Sequence, residues 1–452
     1  MITQLLTIAR NTFIESVRQP IVFILILIAG VVQVLNTWST AYSMDNDLAG
    51  PLTGDNKLLF DFSLGTVFVL STLMAGFVAT AVISREIENK TVLTIVSKPV
   101  GRVTLILGKF LGVTGCVLIS TIAMLVFLLL AIRHGVMSTA ADELDGPVLV
   151  FGLGAVVASL ALAAWCNFFY GWNFPQTTVI LLVPFLIVAY VGVLLLAHDW
   201  KWQPISTDVS GQVLIACACI VLAVLVLCSV ATAASTRLGQ VMTILVCVGV
   251  FILALMSNYF FGRHVFANTI SGTVALVSVK DPAQAPFDKP GDTLEIELER
   301  PPDVEVTAGD PFYYSPSPNG FPMLSRTTYT RHTGNLNDST ELLGPDAPPA
   351  IIISAIDGKQ LTIRNVGHTA AQVFRAPEAG DYFFTRQTKI HPLPLVLWGA
   401  LPNLQFFWLL DAITQIRQIP LAYLGLVAAY SVVQMGAFLS LGVILFQSRD
   451  VG

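Results

Sequence analysis

Apolar residues fall along this chain in long unbroken runs separated by short polar islands. Runs at 21–38, 61–83, 104–132, 148–169, 177–197, 211–234, 241–261 and 420–446 are each long enough to cross a bilayer as a helix, which takes about 17–25 apolar residues. Eight spans are therefore expected. Ahead of them, Ile2, Leu5, Leu6, Ala9, Phe13 and Val17 share one helical stripe, with Arg10, Asn11, Arg18 and Gln19 elsewhere. That pattern predicts an amphipathic helix over 1–19 lying in the membrane surface. A signal peptide over 1–41, ending at Ser39-Thr40-Ala41, is the competing reading. The long polar lead containing Glu15 favours an uncleaved first span.

The period changes at 262–396. Thr293 to Glu299 alternates strictly, and Ile351–Ile356 and Gln360–Val366 flank Asp357-Gly358, a hairpin signal. Val373-Phe374 and Asp381 to Phe384 add strand-like pieces, and prolines crowd between Pro282 and Pro349. The segment predicts a small all-β domain, a sandwich, with a Pro-rich excursion over 309–349. After it, 397–418 is apolar and aromatic (Trp398, Phe406, Phe407, Trp408) but broken by Pro402, Asp411 and Arg417. It reads as short interfacial helices. The fold class is thus a polytopic α-helical membrane protein with about eight spans and a β domain inserted before the last.

Charge orients this layout. Arg85, Lys90, Lys98, Arg102 and Lys109 cluster between the second and third spans, and Arg237 lies between the sixth and seventh. The loops 39–60 and 133–147 are acidic instead. The positive-inside rule puts the basic loops in the cytosol. Both termini are then cytosolic, and 262–396 is extracytoplasmic by span parity. Composition agrees: 54% of the 452 residues are hydrophobic and 12% charged, against about 25% charged in soluble domains. All six cysteines lie in or beside apolar runs and read as small buried hydrophobes.

The most informative island is Ile83 to Arg102. Thr91 can cap a short helix in which Val92, Leu93, Ile95 and Val96 form an apolar ridge, and Pro99 ends it. Such a ridge packs on its own bundle, lies in the headgroups, or fills a groove in a soluble partner. Arg85-Glu-Ile-Glu-Asn-Lys-Thr-Val-Leu93, Ser97-Lys-Pro-Val-Gly-Arg102 and Leu107-Gly-Lys-Phe-Leu-Gly112 resemble the segment after the second span in type-2 ABC exporter permeases. The resemblance implies a coupling helix that docks on an ATP-binding subunit. Glu86 and Glu88 take the family's acidic positions, and Thr91, Val92 and Leu93 start the helix. Val96 belongs to its ridge, and Pro99 and Arg102 match a Pro-x-x-Arg ending. Lys90-Thr91-Val92 stands where the family often has Gly-Thr-Leu. The resemblance further implies an elbow helix at 1–19, a bundle at 20–261 with a cytosolic loop at 84–103, a last span and tail at 419–452, and a second permease subunit. The family usually has six spans, and the hairpin 148–197 is the surplus.

Absent chemistry narrows the function. There is no Gly-x-x-x-x-Gly-Lys-Ser/Thr, and Gly108-Lys109-Phe110 lacks the upstream glycine and the hydroxyl. ATP, if used, is bound by a separate subunit, and the chain itself is read as no enzyme and as holding no cofactor or metal. Gly108 and Gly112 read better as a close-packing face. The spans lack central Asp, Glu or His, which argues against an ion-coupled carrier. Gln33 and Gln434 read as bonds between helices before pathway residues. The six histidines have no ligand spacing, no Gly-x-Ser-x-Gly occurs, and the dispersed basic residues exclude a nucleic-acid face. The expectation is an ATP-driven export permease in the plasma membrane, the inner membrane of a bacterium, with membrane lipids around it. The alternatives are a membrane-anchored binding or scaffold protein acting through its β domain toward an extracytoplasmic partner, and a force transmitter without transport.

Overall fold

The structure is a computed structural model. It describes residues 2–40, 55–84, 101–137, 144–279 and 287–447, apart from 303, 317, 319–329, 337, 346, 348, 369–374, 387–388 and 415–418. These residues form two compact units, Met1–Leu255 with Pro402–Gly452, and Met256–Leu401.

The first unit is a helical bundle. Its helices are α1 (Ile2–Val17), α2 (Pro20–Ser39), α3 (Asp55–Ala79), α4 (Arg102–His134), α5 (Gly154–Tyr170), α6 (Phe174–Leu194), α7 (Gly211–Ser235), α8 (Gln240–Leu255) and, after the second unit, α10 (Leu421–Gln447). Seven described helices are long and apolar enough to cross a membrane, and an eighth is counted if Gln240–Leu255 and Asn258–Val265 make one broken span. The expected run at 241–261 is thus divided: α8 stops at Leu255, and Asn258–Gly262 is a π-helical turn. The second span starts earlier than its hydropathy suggests, at Asp55, because helical hydrogen bonding tolerates polar residues in an end turn.

α3, α4 and α7 are the best buried spans, whereas α5 and α10 are peripheral. Polar side chains bond between or along helices. Gln33 Nε2 donates to the Ser63 carbonyl at 3.0 Å and Thr121 to Ser71 at 3.0 Å, while Gln434 Nε2 lies 3.3 Å from Tyr430 on its own helix. The aromatic stretch before α10 is partly core. Leu404, Phe407, Leu410 and Ile413 are buried in the bundle, whereas Phe406 is exposed. At one end, Arg133 holds Asp145 and Asp208, each at 2.8 Å, with Asp145 fully buried. Asp145 also caps the next helical turn through Val148 N at 3.1 Å.

The second unit is β-rich. Its strands are β1 (Phe266–Ala267), β2 (Ile270–Ser278), β3 (Thr293–Leu298), β4 (Tyr313–Ser315), β5 (Ala350–Asp357), β6 (Gln360–Val366), β7 (Tyr382–Phe384) and β8 (Lys389–Ile390), followed by helix α9 (Pro392–Ala400). The strand order is β4-β7-β2-β3-β6-β5, all antiparallel. The expected sandwich is corrected here, because this one sheet closes on itself. Residues 309–312, which run straight into β4, bond to β5: Gly309 N to Ile353 O at 2.7 Å, Ile353 N to Asp310 O at 2.9 Å, and Phe312 N to Ile351 O at 2.8 Å. Closure removes the exposed sheet edges that would otherwise recruit another chain. Alternation supplies the interior, with Leu294, Ile296, Leu298, Ile351, Ile353, Leu361 and Ile363 packed on Phe312 and Phe383, whose rings stack at 5.3 Å. The Asp357-Gly358 hairpin forms as expected, and Val373 and Phe374 lie outside the described residues.

Candidate functional site: the loop-bearing end of the bundle

Of the residues singled out for coupling, Arg85, Glu86, Glu88, Thr91, Val92, Leu93, Val96 and Pro99 lie outside the described residues. Arg102 is described. What the structure adds is how the two ends of 84–102 are held. The upstream end leaves α3 through a π-helical turn, Thr80–Ser84. Thr80 Oγ1 donates back to Gly76 O at 2.8 Å and Phe77 O at 2.9 Å, the side-chain-to-backbone bonding that loosens a regular helix. Ser84 is buried, and its hydroxyl donates to Ser235 O at 3.2 Å and to Leu238 O. The second span is thereby tied to the turn between α7 and α8.

The downstream end starts α4. Gly101 is its N-cap residue in an extended conformation, and Leu105 N bonds to Gly101 O at 3.0 Å. Arg102 Nη1 donates to Gln447 O at 2.8 Å, and Arg237 Nε donates to Leu445 O at 2.7 Å. Two guanidiniums therefore satisfy orphan carbonyls at the C-terminal end of α10, where positive charge is favoured. Beneath these ties a small cluster of Ile83, Leu105, Ile106 and Phe446 is buried, with Ile8 and Val443 against it. Residues from α1, the end of the second span, α4 and α10 meet in this one layer.

α1 is set into α4. A Cβ added at Gly108 would stand 2.7 Å from the Ile8 side chain, and one at Gly112 2.5 Å from Thr12 Cβ and 2.6 Å from Ala9 O. The Gly108/Gly112 packing face thus receives the first helix. On α1, Val17 and also Thr12 and Ser16 are buried, while Ile2 and Leu6, members of the sequence stripe, are exposed. The helix is gripped by its small polar residues as well as its apolar ones.

The sequence reading missed Ser84, the carbonyls of Ser235 and Leu238, and the end of α10. The usable signal was Arg237 in a short inter-span turn. What it grips lies 208 positions away, which no local pattern announces. Geometrically, Ser84 and Arg102, the described residues at the two ends of 84–102, are both bonded to other elements of the same layer. No group of three or more His, Cys, Asp or Glu suited to a metal occurs among the described residues.

A family model described as ABC-2 family transporter protein matches residues 6–167. The match takes in most of α1, the first spans and the whole of 84–102, so the resemblance read from that island holds over this part of the chain. No curated protein and no solved structure matches the chain.

Proposed function

We propose that this chain is the permease subunit of an ATP-driven export system of the plasma membrane, the inner membrane in a bacterium. A separate ATP-binding subunit seats its groove on Thr91, Val92, Leu93 and Val96, with Arg85, Glu86, Glu88, Pro99 and Arg102 framing them. A second permease subunit, identical or homologous, completes the pathway. Closure of the ATPase pair on nucleotide moves 84–102, and Ser84 and Arg102 pass that movement to α3 and α4. ATP is held by the partner, and this subunit supplies the path and the lever.

The observation that carries this reading is the double anchorage of 84–102 at Ser84 and Arg102 within a segment that matches the transporter family. The test replaces Val92 and Leu93 together with Asp in the assembled complex. The expected result is loss of ATPase association, by about two orders of magnitude if about 2–3 kcal/mol of apolar docking is lost, with the bundle's thermal stability unchanged. ATPase association equal to wild type removes the docking role.

A second reading is favoured by the closed β unit, which has a core of its own. The chain would then act as a membrane-anchored binding or scaffold protein, or turn the ATPase stroke into force on an extracytoplasmic partner. For the scaffold, removal of 270–390 abolishes function while changes at 86–93 do nothing; for the force transmitter, the same removal abolishes function while ATPase association persists.

A further inference from the structure

The rim of the β barrel holds a cavity of about 320 Å³ lined by Glu305, Thr307, Asp310, Arg331, Thr385 and Arg386. It lies where the closing strand changes partner. Gly309 to Phe312 bond to β5, whereas Tyr313–Ser315 bond to β7. Past Phe384, β7 has no strand neighbour on that side among the described residues, and Thr385 and Arg386 line the cavity there.

The lining residues are all polar or charged and balanced, with two guanidiniums, two carboxylates and two hydroxyls. Some of these groups are already engaged. Asp310 Oδ2 accepts from Thr307 N at 2.8 Å and Thr307 Oγ1 at 3.1 Å, and its Oδ1 is 3.8 Å from Arg331 Nε. Arg331 Nη2 reaches Ala308 O at 3.4 Å, and Thr385 shares a hydrogen bond of 3.0 Å with Ser271. Glu305 and Arg386 are both exposed and, among the described residues, have neither a hydrogen bond nor an ion pair. The free groups on the wall are thus one anion and one cation, with Arg331 loosely held beside them.

An apolar ligand gains nothing from such a lining. A simple anion meets two carboxylates, and a simple cation meets two arginines. We propose that this cavity binds a small zwitterion, an ammonium group and a phosphate or carboxylate joined by a short linker. Arg386 and Arg331 take the anionic end, where the guanidinium fork suits a planar or tetrahedral oxyanion. Glu305 takes the ammonium. The volume is at the small end of ligand sites and limits the occupant to a few heavy atoms. A phosphoethanolamine lipid headgroup and a free amino-acid-like solute share this chemistry. The site is independent of the docking role of 84–102, so either idea can fail alone.

The test is calorimetric titration of the full-length protein in phosphatidylglycerol nanodiscs, whose headgroup carries no ammonium. The probes are O-phosphoethanolamine and serine, with inorganic phosphate and ethanolamine as single-charge comparisons. Saturable binding of at least one zwitterion is expected, weakened about tenfold or more in both Glu305→Gln and Arg386→Gln, with both variants melting as wild type. Each single-charge probe should bind about tenfold more weakly than that zwitterion. No saturable zwitterion binding, unaltered binding in both variants, or equal affinity for inorganic phosphate overturns the proposal. Repeating the titration in phosphatidylethanolamine nanodiscs separates the sources: an apparent affinity that falls identifies the headgroup as occupant, and one that holds identifies the free solute.

Discussion

Asp145 shows how much a single side chain can carry in an outwardly unremarkable acidic loop. It is fully buried, accepts from Arg133 at 2.8 Å, and caps the turn that begins the next span. Removing it leaves a guanidinium that is only 7% exposed short of its main counter-charge, and breaking a buried pair costs about 3–5 kcal/mol. Asp145→Ala should therefore lower the thermal stability of the detergent-solubilised protein by that order, and Asp199→Ala, at an exposed carboxylate, is the comparison. In the β unit, Tyr314 donates to the Arg375 carbonyl, and burial pushes its phenol above the ordinary value of 10.0. A raised folded value means that the neutral form is favoured in the native state. The stability it brings is complete below the ordinary tyrosine value and is lost as pH rises through the folded one. Above pH of about 10, wild type should lose melting temperature more steeply than Tyr314→Phe, as followed by near-ultraviolet absorbance during melting.

At the scale of elements, what could be read in advance was whatever a period encodes. Seven spans and the β3 and β5–β6 strands follow from runs and alternation. β2 was missed: Gly272 interrupts its pattern, and bulges between Ile270 and Gly272 and between Val274 and Leu276 shift its faces. The closing segment 309–312 was hidden in a Pro-rich stretch, because its hydrogen bonds go to a strand some forty residues onward. The same limit applied to the loop-bearing end. Arg102 was singled out by its motif as a coupling residue, but its bond to the end of α10 was not foreseen, nor was that of Ser84 to the turn before α8, since such pairings are set by tertiary packing. The glycines of α4 were legible as a packing face, though not as the seat of α1. Gly112→Ala forces a methyl into backbone and side chain of α1 and should cost about 1–3 kcal/mol. Gly154→Ala, where nothing stands within 4 Å, should leave the melting temperature unchanged. Equal effects of the two substitutions would remove the seat.

For the whole molecule, sidedness decides between the readings. Basic and acidic loops alternate along the sequence, and the positive-inside rule makes a cytosolic 84–102 and an extracytoplasmic 262–396 the arrangement to test. Asn335 is exposed on the β unit, and five of the six native cysteines are buried. Asn335→Cys in intact cells should therefore react with a membrane-impermeant maleimide far faster than the parent protein. Reaction only after the membrane is opened would reverse the assignment and with it the count of crossings. The β unit also joins the rest of the chain in a particular way. β1 and β8 pair, Phe266 opposite Ile390 and Ala267 opposite Lys389, and His391 N bonds to Val265 O at 2.8 Å. The polypeptide enters and leaves the barrel through adjoining doorposts. With entry and exit held side by side, the length and sequence between Ala267 and Lys389 can change without altering where the chain enters and leaves the unit. Whatever that unit does, its outline can diverge while its two doorposts stay as they are.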